Sequence, residues 1–85
     1  MDLSIIILNY KQKGLVKYCL KNLLSLSLPI VYEIIVVDNA SADGLEAMLK
    51  NEFMSVKLVQ AELNRGYASG NNLGIASAQG KYVLI

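Results

Sequence analysis

The sequence predicts an α/β protein in three layers, an open and mainly parallel sheet with helices on both faces in the order βαβαβαβ. Four short apolar runs alternate with three stretches of helical periodicity, and the first two runs are nearly continuously apolar, as strands covered on both faces are. A third observation is Asp38, a carboxylate set where Ile34-Ile35-Val36-Val37 stops and followed by Asn39-Ala40-Ser41-Ala42-Asp43-Gly44. An acid at the carboxyl end of a buried strand stands where open α/β sheets meet their ligands, so a binding rim is expected there.

The strands are expected at Leu3 to Leu8, Tyr32 to Val37, Val56 to Gln60 and Lys81 to Ile85. Between the first two, Val16, Cys19, Leu20, Leu23 and Leu24 recur as one buried helical stripe, with Pro29 closing the segment. Lys13, Lys17 and Lys21 fall on another face at steps of four, either as a solvated face or as a weak attraction to anionic lipid heads. The second helix carries Leu45, Met48, Leu49 and Phe53, and Asp43 with Glu46 reads as a capping box. The third is expected to start near Ser69, to run through Leu73, Ile75 and Ala76, and to stop at Gly80 in a left-handed cap. Parallel strands so joined imply right-handed crossovers and a fourth strand beside the first.

With 85 residues the chain is one globular unit at most, and 54% hydrophobic content suits a packed core. A net charge of +1 with 18% charged residues lacks the basic excess of a nucleic-acid binder. Cys19 has no partner for a disulfide, which fits a reducing compartment, and its place in the apolar stripe predicts a core thiol. The opening run is too short to span a bilayer and has neither a basic region before it nor a small-residue cleavage site after it, so neither a membrane span nor a signal peptide is expected.

Parallel strands bring Asn9-Tyr10-Lys11, Asp38 to Gly44 and Asn64 to Asn72 to one rim. Two readings stand for the first loop: Tyr10 stacks on a nucleobase while Asn9 and Asp38 bond its edge or ribose, or Tyr10 packs over the first helix and Asn9 caps it. In the third loop, glycines allow close backbone approach, a helix start offers N–H groups to a phosphate, and Arg65 adds a charge-assisted contact; loop geometry alone also accounts for Gly66. No G-x-G-x-x-G follows the first strand and no G-x-x-x-x-G-K-[ST] occurs, which disfavours dinucleotide dehydrogenases and P-loop enzymes. The chain has no histidine, so His-based triads and His metal sites are excluded. A receiver domain is disfavoured because Asn9-Tyr10 stands where its acidic pair should be.

Taken in order, LSIIILNYKQKGLVKYCLKNLL, YEIIVVDNASADG and LNRGYASGNNLGIASAQGKYVLI resemble the amino-terminal part of a family 2 glycosyltransferase with the GT-A fold, over nearly the whole chain from Leu3 to Ile85. Asp-Asn-Ala-Ser together with Asn-Arg-Gly-Tyr and Gly-Asn-Asn is similar to rhamnosyltransferase-type members. The resemblance implies a Rossmann-like half domain and transfer of a sugar, usually with inversion, from a nucleotide-diphosphate sugar to an acceptor hydroxyl on a glycan or lipid-linked glycan. By motif, Asn9 and Tyr10 stand where the family contacts the nucleoside, and Asp38, Asn39 and Ser41 belong to the segment that bonds base or ribose. Asn64, Arg65, Gly66, Asn71 and Asn72 fall in the loop and helix start that border the nucleotide and lie close to the metal. Many members carry a second acid in place of Asn39 and an Arg in place of Asn71, which leaves the donor's base open.

In the family, the strand matching Lys81 to Ile85 runs into an acidic motif that holds Mg²⁺ or Mn²⁺ against the donor diphosphate, and here the sequence ends at Ile85. The resemblance thus implies that residues 1–85 form a single partial domain, the nucleotide-sugar-binding half, cut before the metal-binding motif. It implies no catalytic residue and no metal ligand in this chain, and no turnover by the chain alone. The alternative is a non-catalytic truncated relative that serves as an interaction module or persists as a remnant. An exposed sheet edge would favour self-association. The cytoplasm is the default location, at the inner face of a membrane where glycan precursors are built.

Overall fold

The computed structural model describes residues 1–85. Strands β1 (Leu3–Asn9), β2 (Tyr32–Asp38), β3 (Lys57–Gln60) and β4 (Tyr82–Leu84) alternate with helices α1 (Lys13–Leu24), α2 (Leu45–Glu52) and α3 (Tyr67–Ser77). The sheet order is β3-β2-β1-β4 with every pairing parallel, as the alternation of patterns predicts. Asn9 registers with Asp38, and Asp38 with Gln60, so three strands finish level at one rim.

The apolar runs supply both faces of the sheet, because successive strand residues point to opposite sides. Ile5, Ile34 and Val36 pack with Val16 and Leu20 of α1 and with Leu45, Met48 and Leu49 of α2. Ile6, Ile35 and Val37 line the other face, under α3. Burial of each such side chain contributes about 1.5–3 kcal/mol, which makes the centre of β2, fully covered at Ile35, Val36 and Val37, the firmest part of the molecule. Helix α3 approaches through glycine rather than through large side chains. A Cβ on Gly70 would stand 2.5 Å from a Leu8 methyl, and one on Gly74 2.6 Å from an Ile6 methyl.

Several local expectations are corrected. The buried stripe of α1 narrows to Val16 and Leu20, with Leu23 half-buried; Leu24 is exposed, and Cys19 is exposed rather than a core thiol. Two side chains one turn apart, Val16 and Leu20, are enough to seat α1 on β1 and β2, and the helix ends at Leu24, well before Pro29. No capping box forms at α2: Gly44, at φ 86°, occupies the cap position, Asp43 Oδ1 accepts from the Leu45 N–H at 3.3 Å, and Glu46 pairs with Lys50 at 3.0 Å. Helix α3 begins two residues early, at Tyr67, and Leu73 and Ile75 are exposed because its inner face is Gly70, Asn71 and Gly74. It ends at Ser77, and Gly80 is not its left-handed cap.

Gly80 is required for a different reason. A Cβ there would lie 2.5 Å from the Ser4 nitrogen and 2.6 Å from the Leu3 carbonyl carbon, backbone atoms that have little room to move. Gly80→Ala is expected to destabilise the chain by about 2–3 kcal/mol, whereas Gly14→Ala, in a helix with open space around it, should stabilise it by up to ~1 kcal/mol. Urea melts of the two variants check both signs.

The same junction is clasped by Glu33. Its Oε2 accepts from the Ser4 hydroxyl at 2.6 Å and the Gln79 N–H at 2.7 Å, while Ser4 Oγ accepts from the Gly80 N–H at 2.8 Å. Bonding from Ser4 first, then from Gln79, with a further pull from Lys57, outweighs desolvation and holds the Glu33 carboxyl below its ordinary value. A lowered folded pKa gives stability that is complete above the unfolded value and is lost as pH falls through the folded one. Wild type should therefore melt higher than Glu33→Gln at neutral pH, and the gap should close in acid below about pH 4. Thermal melts across that range check it.

Candidate functional site

Two polar clusters meet at the rim where β1, β2 and β3 end. The first is built around Asn9, a buried side chain with no exposed surface. Its Nδ2 donates to Asp38 Oδ1 at 3.1 Å, Ser41 Oγ at 3.2 Å and Asp43 Oδ2 at 3.3 Å, and its Oδ1 accepts from the Gln12 N–H at 3.0 Å. Ser41 Oγ also accepts from the Lys11 N–H at 2.8 Å, tying the loop after β1 to the loop after β2. Lys11, Ala40 and Ala42 all hold left-handed backbone, at φ 55°, 60° and 52°, an arrangement that costs about 1–2 kcal/mol at each non-glycine residue. Ala40 and Ala42 flank Ser41, so the strain is spent on the turn that directs its hydroxyl inward.

Asp38 borders a cleft of about 410 Å³ that it shares with Asp43, Gly44, Glu46, Lys50 and Gln60. Three carboxylates against one ammonium make its wall acidic, which suits ligand groups that donate hydrogen bonds, such as sugar hydroxyls or base N–H groups. No three His, Cys, Asp or Glu side chains gather as a metal ion would require, so the residues present do not form a metal centre.

The second cluster joins β2 to the start of α3. Buried Asn39 donates through Nδ2 to Asn64 Oδ1 at 2.8 Å and to the Gly66 carbonyl at 3.2 Å, and Asn64 Oδ1 also accepts from the Gly66 N–H at 2.9 Å. Gly66, at φ 98°, holds a conformation that side-chain-bearing residues avoid, and the helix starts at the next residue with its first N–H groups open. Arg65 lies beside that start, on a neighbouring depression of about 340 Å³ with Gln60, Glu62 and Ser69. Asn71 lies under the helix, 5% exposed, with its Oδ1 lacking any partner.

The residues singled out in the sequence thus divide by position. Asp38 and Ser41 both bond Asn9, and Asn39, Asn64 and Gly66 bond one another. Arg65 and Asn72 stand exposed, and Tyr10 is 44% exposed with the Lys11 ammonium 5.3 Å from its ring centre. Asn9 is at once a bonding partner of Asp38 and the acceptor for the Gln12 N–H at the head of α1. Sequence reasoning passed over Asp43 and Gln60. Asp43 had been absorbed by the capping motif, and Gln60 carries no signal until strand register sets it beside Asp38.

The model of glycosyl transferase family 2 matches residues 4–85. A low-salt glycan biosynthesis hexosyltransferase of Haloferax volcanii is 39% identical over 74 residues, 87% of this chain and 22% of the relative. Among solved structures, TarS of S. aureus in complex with UDP-GlcNAc superposes with a TM-score of 0.87 at 26% identity, covering 99% of this chain and 25% of that one. The mannosyltransferase PcManGT of Pyrobaculum calidifontis, in complex with GDP-Man and Mn²⁺, gives 0.83 at 26% identity, covering 95% of this chain and 25% of that one. The chain therefore spans about a quarter of the length of the proteins it matches.

Proposed function

This chain belongs to glycosyl transferase family 2, and on that premise we propose that it supplies the nucleotide-binding part of an enzyme that moves a sugar from a nucleoside-diphosphate donor to an acceptor hydroxyl, on a glycan or a lipid-linked glycan. The observation that carries the reading is Asp38, fixed by Asn9 at the level ends of three parallel strands and bordering an acidic cleft. In this reading Asp38 accepts from the ribose or base, Tyr10 offers its exposed ring to the base, and the diphosphate turns away from the carboxylates toward Arg65 and the open N–H groups of α3. Asn39, Ser41, Asn64 and Gly66 hold the two loops in place, and Asn71 and Asn72 complete the border on the helix side. Mg²⁺ or Mn²⁺ would be held by carboxylates outside this chain, which is one partial domain of a rhamnosyltransferase-like, inverting enzyme acting in the cytoplasm at the inner face of a membrane.

The test is a titration of the chain with UDP and dTDP, read by amide NMR. Shifts should concentrate at Tyr10, Asp38 and the Asn64 to Tyr67 turn, and flat titrations with every nucleoside diphosphate would remove the reading. The chain alone is expected to transfer no sugar: incubation with NDP-sugars and Mn²⁺ should give no product, and steady turnover would overturn that part. The outer edge of β4, where Tyr82, Val83 and Leu84 are exposed, favours a second reading in which two copies pair edge to edge. A concentration-dependent dimer in sedimentation checks it.

A further inference from the structure

Asp38 uses one carboxylate oxygen inside the chain and leaves the other to the cleft. Its Oδ1 accepts from Asn9, while Oδ2 has no partner and is not sealed from solvent. Gln60 stands beside it, since parallel register pairs the two residues at the ends of β2 and β3 and sends their side chains off the same side of the sheet. The Gln60 carboxamide is held in one orientation: Nε2 donates to the Asp38 carbonyl at 3.3 Å and to the Ala61 carbonyl at 3.2 Å, so Oε1 is the end left free. A flipped amide would set its oxygen against both carbonyls. The two residues border the same cleft of about 410 Å³, a volume within the range of small-molecule sites.

The donors that touch this pair of residues are already engaged. Asn9 Nδ2 serves three acceptors, and the Ala61 N–H bonds the Asp38 carbonyl at 2.9 Å. Lys50, the other side-chain donor on the cleft, is paired with Glu46 at 3.0 Å. A base edge laid against Asp38 and Gln60 therefore has to donate twice from neighbouring atoms. Guanine does so, through N1–H and its 2-amino group. Uracil and thymine offer one N–H between two carbonyls, and cytosine and adenine carry a ring-nitrogen lone pair beside their amino group, so each of them sets a lone pair against a lone pair. We infer that Gln60 is a specificity-determining residue of the donor site and that, with Asp38, it selects a guanosine-diphosphate sugar: Asp38 Oδ2 accepts from guanine N1–H, and Gln60 Oε1 accepts from the 2-amino group. The inference rests on the nucleotide-binding reading above and decides, within it, that Asp38 reads the base rather than the ribose.

The experiment is calorimetric titration of the full chain with GDP, IDP, UDP and dTDP. IDP keeps the N1–H of guanine and lacks only the amino group, so it isolates the Gln60 contact. GDP is expected to bind about tenfold tighter than IDP, with a wider gap to UDP and dTDP. Gln60→Leu should bind GDP and IDP alike. A thermal melt confirms that the variant is folded, and the comparison of GDP with IDP in the unaltered chain needs no variant at all. Equal affinity for GDP and IDP, a preference for UDP or dTDP, or a Gln60→Leu chain that still prefers GDP would overturn the inference and leave the nucleotide-binding reading in place. Flat titrations with all four ligands would remove both.

Discussion

Replacing Asp38 with alanine is expected to abolish nucleoside-diphosphate binding while leaving a folded chain. Hydrogen bonds to a charged acceptor are worth about 1.5–3 kcal/mol, and loss of the two that a ribose or base edge would donate weakens affinity by roughly a hundredfold or more. The fold loses less. Asn9 Nδ2 keeps Ser41 and Asp43 as acceptors, so one deleted partner should cost about 1–2 kcal/mol. Asp38→Asn separates charge from shape: it preserves volume and one oxygen but presents an amide to ligand donors. Calorimetry with UDP and dTDP, run beside a thermal melt, should find both variants folded and neither binding. Unchanged affinity in Asp38→Ala would move the nucleotide to another part of the rim.

The largest loss of stability is expected from Asn9→Asp. The wild-type amide gives its protons to three acceptors within 3.3 Å, two of them carboxylates. A carboxylate in its place would meet Asp38 and Asp43 with no donor between them, at a position with no exposed surface. Leaving buried charge uncompensated costs about 3–5 kcal/mol, a large share of what so small a domain has. Protonation relieves it, so the variant should recover stability as pH falls, opposite to the trend expected at Glu33. Asn9→Ala should lose about 2–3 kcal/mol without that pH response, because it removes the donor and adds no charge. Denaturant melts of the three proteins between mildly acid and neutral pH distinguish these outcomes.

Much of the fold could be read from periodicity, because β2 and the inner face of α2 are patterned by a core with only one way to bury them. Ile34 to Val37 and Leu45, Met48 and Leu49 lie where their spacing places them. Helix α3 was harder for a physical reason. Its inner face is made of Gly70, Asn71 and Gly74, so the residues that touch the sheet are those that hydropathy ignores, while Leu73 and Ile75 point outward. Cys19 misled in the same manner, since an apolar stripe shows which residues can be buried and not how wide the contact is. At the rim, Asp38 announced itself by position, whereas Asn9 as the hub and Gln60 as a neighbour emerge only from register, which no local pattern encodes.

The sheet order has a consequence in time. Of these four strands β1 is made first and its outer neighbour β4 last: Leu3 pairs with Tyr82, far along the chain. At translation rates of about 5–20 residues per second, one edge of β1 waits some seconds for its partner, while β2 can already have closed the other. Every pairing here joins distant segments, which is the slow kind of contact to make. A nascent chain of this order therefore leaves the ribosome region with an open strand at its centre, and its yield in a cell should depend on how well chaperones shield that edge until synthesis reaches Tyr82.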